Sequence, residues 1–115
     1  MQVILYGFMN KLFLLNNDRI LYTMRVTNLS YVAEYIATFF FVLSILVSGG
    51  NALMIGAALA FAILMVASVS GGHLNPAVSL AMFLNGSLKG SDLLMYILAQ
   101  VLGGSSAYYA YQMSK

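Results

Sequence analysis

The sequence predicts an all-α membrane protein with three transmembrane helices and one re-entrant half-helix, and three observations carry that expectation. The chain is 62% hydrophobic and 7% charged over 115 residues, with a mean hydropathy of +0.90, well outside the range of an ordinary soluble domain. Three apolar stretches, at about 30–48, 51–69 and 92–111, have the length a helix needs to cross a hydrocarbon core of about 30 Å. Between the second and third lies 70–86, SGGHLNPAVSLAMFLNG, a glycine turn that runs through Asn-Pro-Ala into an apolar segment too short to cross.

Composition also sets what is excluded. The absence of cysteine rules out disulfides and thiolate metal sites. A net charge of +2 is too small and scattered for a polyanion, so no nucleic-acid partner is expected; basic residues in such a chain are topology signals. No nucleophile, base and orienting group form a set, so an enzyme is not expected, and no cofactor is called for.

Residues 1–29 read as a basic interfacial leader ahead of a single domain at 30–115. The apolar run Val3–Leu15 is broken by Gly7, Asn10 and Lys11 and is too short to span. It is followed by Asn16, Asn17, Asp18 and Arg19 rather than small residues, so signal cleavage is not expected. Arg25 carries the leader up to a cap at Ser30.

The first span carries Glu34 as its only charge and ends at Gly49 and Gly50. Asn51 caps the second, so the two form a hairpin. In the second span Ala52, Gly56 and Ala60 recur every fourth residue, a pattern that lets helices approach closely in lipid. Asn75 is placed to cap the half-helix at about 76–85, since its side-chain oxygen can accept an orphan N–H while Pro76 gives up only an N–H that has no partner there. Gly86 stops it. The lead-in Ser70–Leu74 cannot face lipid with unpaired backbone groups and has to be buried or line a wet cavity. In the third span Asp92 suits the helix N-terminus, Ala99, Gly103 and Ala107 repeat the small stripe, and Tyr108, Tyr109 and Tyr111 form an interfacial belt. Lys11, Arg19, Arg25 and Lys89 fall on one side of three crossings and Lys115 on the other, which favours a cytoplasmic N-terminus.

A lone carboxylate is costly in lipid, so Glu34 is expected to face the bundle and meet the N–H groups of the loop or His73. His73 reads as a hydrogen-bonded strut rather than a metal ligand, because no second ligand stands at metal spacing around it. A proton relay would need more titratable groups than these two.

The motifs SGGHLNPAVS, AEYIATF (with Glu34 and Thr38) and YILAQVLGG together resemble the N-terminal half of the aquaporin and glycerol-facilitator, or major intrinsic protein, family over about 32–111. Ser79 stands where that family usually has threonine. The family's second, inverted copy, with its own Asn-Pro-Ala and a filter arginine, is not in this sequence, so the expectation is half a channel. The resemblance implies that Asn75, with Pro76 and Ala77, sits at the pore midpoint and that Gly71, Gly72 and His73 line the cytoplasmic half-pore with carbonyls. It further implies that Ile55 takes a filter position, aliphatic where phenylalanine would narrow a water-selective pore, and that Glu34 and Gln100 support the loop. The implied function is passive transport of water and/or small neutral solutes such as glycerol. The partners are then the lipid bilayer, the solute, and a second half or a tetramer-like homo-oligomer. The alternative is a non-conducting scaffold or truncated remnant that associates with full-length channels.

Overall fold

The computed structural model describes residues 2–10 and 26–115, all helical apart from short turns. Helix α1 covers 2–10 and is exposed throughout. The rest of the expected basic leader, 11–25 with Lys11, Arg19 and Arg25, lies outside the described residues. Four helices follow: α2 (Asn28–Val47), α3 (Ala52–Ser70), α4 (Pro76–Leu84) and α5 (Gly90–Met113). Among them α2 and α3 are long and apolar enough to cross a membrane. At 24 residues α5 is about 36 Å long, ample for a crossing, but Asp92, Gln100, Ser105 and Ser106 make it more polar.

Capping chemistry explains most of the boundaries. Helix α2 starts two residues ahead of Ser30, with Thr27 in the cap position. Ser30 is therefore not the cap. It sits one turn in, where its hydroxyl accepts the Thr27 N–H at 3.1 Å and donates onward to the Val69 carbonyl at 2.7 Å. Gly49 and Gly50 turn the chain with φ of 64° and 84°, a left-handed pair that costs glycine nothing. Asn51 Oδ1 then accepts the Met54 N–H at 3.0 Å and starts α3. Helix α4 ends at Leu84, one residue before the expected Asn85, because Asn85 becomes its C-cap and Gly86 takes φ 81°. Helix α5 begins at Gly90, so Asp92 falls inside its first turn and accepts the Tyr31 hydroxyl at 2.7 Å, which ties the starts of α2 and α5 together.

Helix α2 is the centre. It packs on α3 to one side and α5 to the other, and α4 leans on α5. The seam between α2 and α5 is parallel: Tyr31 meets Asp92, Glu34 meets Gln100, and Tyr35 meets Ser106. The small residues Ala99, Gly103 and Ala107 are buried along it. A Cβ at Gly103 would stand 2.5 Å from the Tyr35 carbonyl oxygen, so the two backbones nearly touch there.

The other small stripe does not act this way. Ala52, Gly56 and Ala60 are exposed, and a Cβ at Gly56 would meet nothing within 4 Å. The close approach expected of that stripe is not made within the described residues, because α3 turns a different face to α2. Only Ala62 and Ser70 of α3 are buried, and Leu53, Leu64 and Met65 stand open.

The seam yields a direct expectation. Gly103→Ala forces α2 and α5 apart at their closest point, and the overpacking should cost about 1–3 kcal/mol. Gly56→Ala, in open space, should cost nothing measurable; thermal unfolding in detergent compares the two.

Candidate functional site

The loop between α3 and α4 is built around Glu34, whose side chain is fully buried. Its Oε1 accepts the Ser70 hydroxyl at 2.7 Å and the His73 N–H at 2.9 Å. Its Oε2 accepts the Leu74 N–H at 2.7 Å and the Gln100 amide at 3.1 Å. All four donors are neutral, and both oxygens are shared evenly among them. Ser70 also accepts the Gly72 N–H at 3.1 Å, so one carboxylate and one hydroxyl satisfy three successive N–H groups of an irregular segment. That is how a non-helical backbone can be buried at this depth.

The end of α3 is fastened as well. Its Val69 carbonyl accepts from Ser30 and its Ser70 carbonyl from the buried Tyr96 hydroxyl, at 2.7 and 2.6 Å. The last carbonyls of a helix lack partners within the helix, and here α2 and α5 supply them. With both ends held, the loop accepts an uncommon backbone. Leu74 takes φ 58°, a left-handed conformation that a non-glycine residue rarely adopts. Its N–H is on Glu34, and its side chain is buried against Ala37 and Ala62.

Leu74 delivers Asn75. The Asn75 Oδ1 accepts the Ala77 N–H at 2.9 Å, capping α4 with Pro76 in the first turn. Asn75, Pro76 and Ala77 are all exposed on the open side of the molecule, whereas Ser79 is fully buried against α5. No N–H or hydroxyl among the described residues donates to the carbonyls of Gly71, Gly72 or His73. The loop is therefore polarised, with donors spent inward on Glu34 and acceptors left over.

A second network stands behind the half-helix. Gln100 donates its amide both to Glu34 and to the Ser79 hydroxyl, the latter at 2.8 Å. Ser79 Oγ in turn lies 2.9 Å from His73 Nδ1, and the His73 ring packs on Tyr96 with centroids 5.0 Å apart. Thr38 Oγ1 and Gln100 Oε1 are buried without a partner among the described residues.

The structure thus brings Glu34, Gln100, Gly71, Gly72, His73, Asn75, Pro76 and Ala77 to one place. Ile55 is not among them. It is half-buried in the first turn of α3, fifteen residues before Ser70 and so about 22 Å up the helix. Sequence reasoning left out Ser30, Tyr96 and Ser79 as parts of the network. A signal for two of them was present: Ser30 and Glu34 in α2, and Tyr96 and Gln100 in α5, are polar pairs four apart, hence on one face of an otherwise apolar helix. Among the described residues no three His, Asp or Glu side chains gather as a metal site.

A capped half-helix hung from a buried carboxylate, beside two apolar helices of spanning length, marks an all-α protein of membrane type. The comparisons with known proteins give the particular family. The chain matches the family described as major intrinsic protein over residues 20–113. It is 38% identical over 81 residues to glycerol uptake facilitator protein-like 6 of Lactiplantibacillus plantarum, covering 64% of this chain and 38% of that protein. It is 38% identical over 101 residues to aquaporin TIP2-3 of Zea mays, covering 72% of this chain and 41% of that one. Over 46 residues it is 56% identical to human aquaporin-9, covering 40% of this chain and 16% of that protein. No solved structure matches. The chain belongs to the major intrinsic protein family, a family of membrane channels. The matched region spans about two-fifths of the length of the first two relatives.

The Glu34 geometry sets the order of two variants. Glu34→Leu leaves the His73 and Leu74 N–H groups and one Gln100 amide hydrogen unpaired, while the Ser70 hydroxyl can fall back on the Val66 carbonyl; at about 1–3 kcal/mol for each unpaired donor this should prevent stable folding. Glu34→Gln keeps one accepting oxygen and should be destabilised but folded, as read by melting in detergent.

Proposed function

We propose that this chain forms one half of the wall of a membrane pore for water and/or small neutral solutes such as glycerol. The observation that carries the reading is the exposed Asn75 at the start of α4, its oxygen committed to the Ala77 N–H and its amide hydrogens left over. In this reading α2, α3 and α5 cross the bilayer, the N-terminus is cytoplasmic, and α4 re-enters from the cytoplasmic side. The amide of Asn75 donates to the oxygen of a passing solute near the midplane. Behind it the N-terminus of α4 carries roughly half a positive charge, which repels cations while a neutral molecule turns its oxygen to the donor. The free carbonyls of Gly71, Gly72 and His73 accept the solute's hydrogens along the approach, and Glu34 with Gln100 holds the loop in place. Ile55, aliphatic and a long way up α3, suits a wider and less polar constriction than an aromatic residue would.

A pore needs a wall opposite Asn75. An inverted unit whose own half-helix descends from the other face is the arrangement that transport folds use around a midplane site. It can come from the same polypeptide or from another, and a tetramer-like assembly of complete pores fits the family.

Stopped-flow light scattering on proteoliposomes tests the reading. This chain, co-reconstituted with the C-terminal half of a related facilitator, should raise water or glycerol flux above the lipid background. Asn75→Asp, which puts a carboxylate at the constriction, should cut that flux about tenfold or more, equal to about 1.4 kcal/mol or more at the barrier. A folded, paired complex with no flux would favour the non-conducting scaffold instead.

A further inference from the structure

The network behind α4 has a direction that can be worked out by counting protons. Gln100 must present its amide nitrogen, not its oxygen, to the Glu34 carboxylate, since swapping the two would set oxygen against oxygen at 3.1 Å. The same nitrogen then donates its second hydrogen to Ser79 Oγ at 2.8 Å. Ser79 has one proton of its own, and the acceptor within reach is His73 Nδ1, 2.9 Å away. Nδ1 is thereby an acceptor and carries no proton, so the hydrogen of a neutral ring sits on Nε2. Order passes from a buried carboxylate through an amide and a hydroxyl to an imidazole.

Nε2 itself meets no partner among the described residues. His73 is buried, and its Nε2 lies behind Gly71: a Cβ on residue 71 would stand 3.3 Å from it, and Gly71 has none. Gly71 is exposed, as is Asn75. We propose that Ser79 is a positioning residue that fixes His73 as the neutral Nε2–H form, with that Nε2–H left beside Gly71 as a donor not spent on the network. The tautomer does not rest on the pore reading.

His73 is the single histidine of the chain, so its ring can be read without assignment. The chain is labelled with nitrogen-15 histidine, reconstituted in vesicles, and examined by solid-state NMR at about pH 8, above the ordinary histidine range. The wild type and Ser79→Thr, which keeps the hydroxyl, should each show the Nε2–H form alone. Ser79→Ala, with nothing to donate to Nδ1, should show both neutral forms. An Nδ1–H ring or a mixture in the wild type overturns the proposal, as does a pure Nε2–H form in Ser79→Ala. The wild-type spectrum decides even where Ser79→Ala does not fold. Because neither spectrum depends on flux, a chain that carries no solute yet holds the Nε2–H form tells against the pore and leaves the role of Ser79 standing.

Discussion

The burial of Glu34 is the constraint on which the rest depends. An irregular segment with five consecutive non-helical residues cannot sit inside an apolar bundle unless its buried N–H groups are met, and lipid offers nothing to meet them. One carboxylate placed a turn and a half into α2 supplies two acceptors that between them take a hydroxyl, two backbone N–H groups and an amide. Those four bonds connect α2 to the end of α3, to the loop and to α5. The close parallel seam at Gly103 follows from the same requirement, because Gln100 reaches the carboxylate only if α5 lies against α2. The left-handed backbone of Leu74 is tolerated for the same reason: its N–H bond and its buried side chain both hold it there.

The consequence for chemistry is an asymmetry between the two sides of the loop. Donors are consumed on the inner side, whereas the carbonyls of Gly71, Gly72 and His73 and the amide hydrogens of Asn75 are not. A segment built this way offers acceptors in a row and then a donor where the helix begins. Under the proposed reading that sequence suits a molecule with both hydrogens and an oxygen to present, and it offers no carboxylate to a cation. The one buried carboxylate among the described residues is enclosed by its four donors.

Much of this was legible in the sequence where the physics is local. Asn75 followed by proline reads as a cap because cap and N–H are two residues apart, and the same holds for Asn51. An isolated Glu34 in an apolar run reads inward because its cost in lipid leaves no other choice. The misses are all cases where a partner far along the chain decides. Ser30 looked like a cap, but its hydroxyl is engaged by a carbonyl 39 positions away. Two stripes of small residues looked alike, yet only the one at Ala99, Gly103 and Ala107 faces a neighbour, and which face of a helix turns inward is not written in a repeat of small residues alone. The left-handed Leu74 had no signal at all, since leucine is not a residue that advertises such a backbone.

The exposed polar edge of the loop restricts what can surround it. Asn75, its neighbours Pro76 and Ala77, and the unpartnered carbonyl of Gly71 make it up, and α3 and the outer face of α4 are uncovered as well. The apolar helices could face lipid at no cost, but a polar amide and free carbonyls could not, because each unsatisfied group in hydrocarbon costs several kcal/mol. A surface that mixes the two needs water or a polar partner over its polar part, whatever covers the rest. In the proposed pore that need is met by a wet passage between two packed units. Under the proposed reading, the same Glu34 network that makes the loop foldable leaves an outer edge that a second unit completes by enclosing water against it.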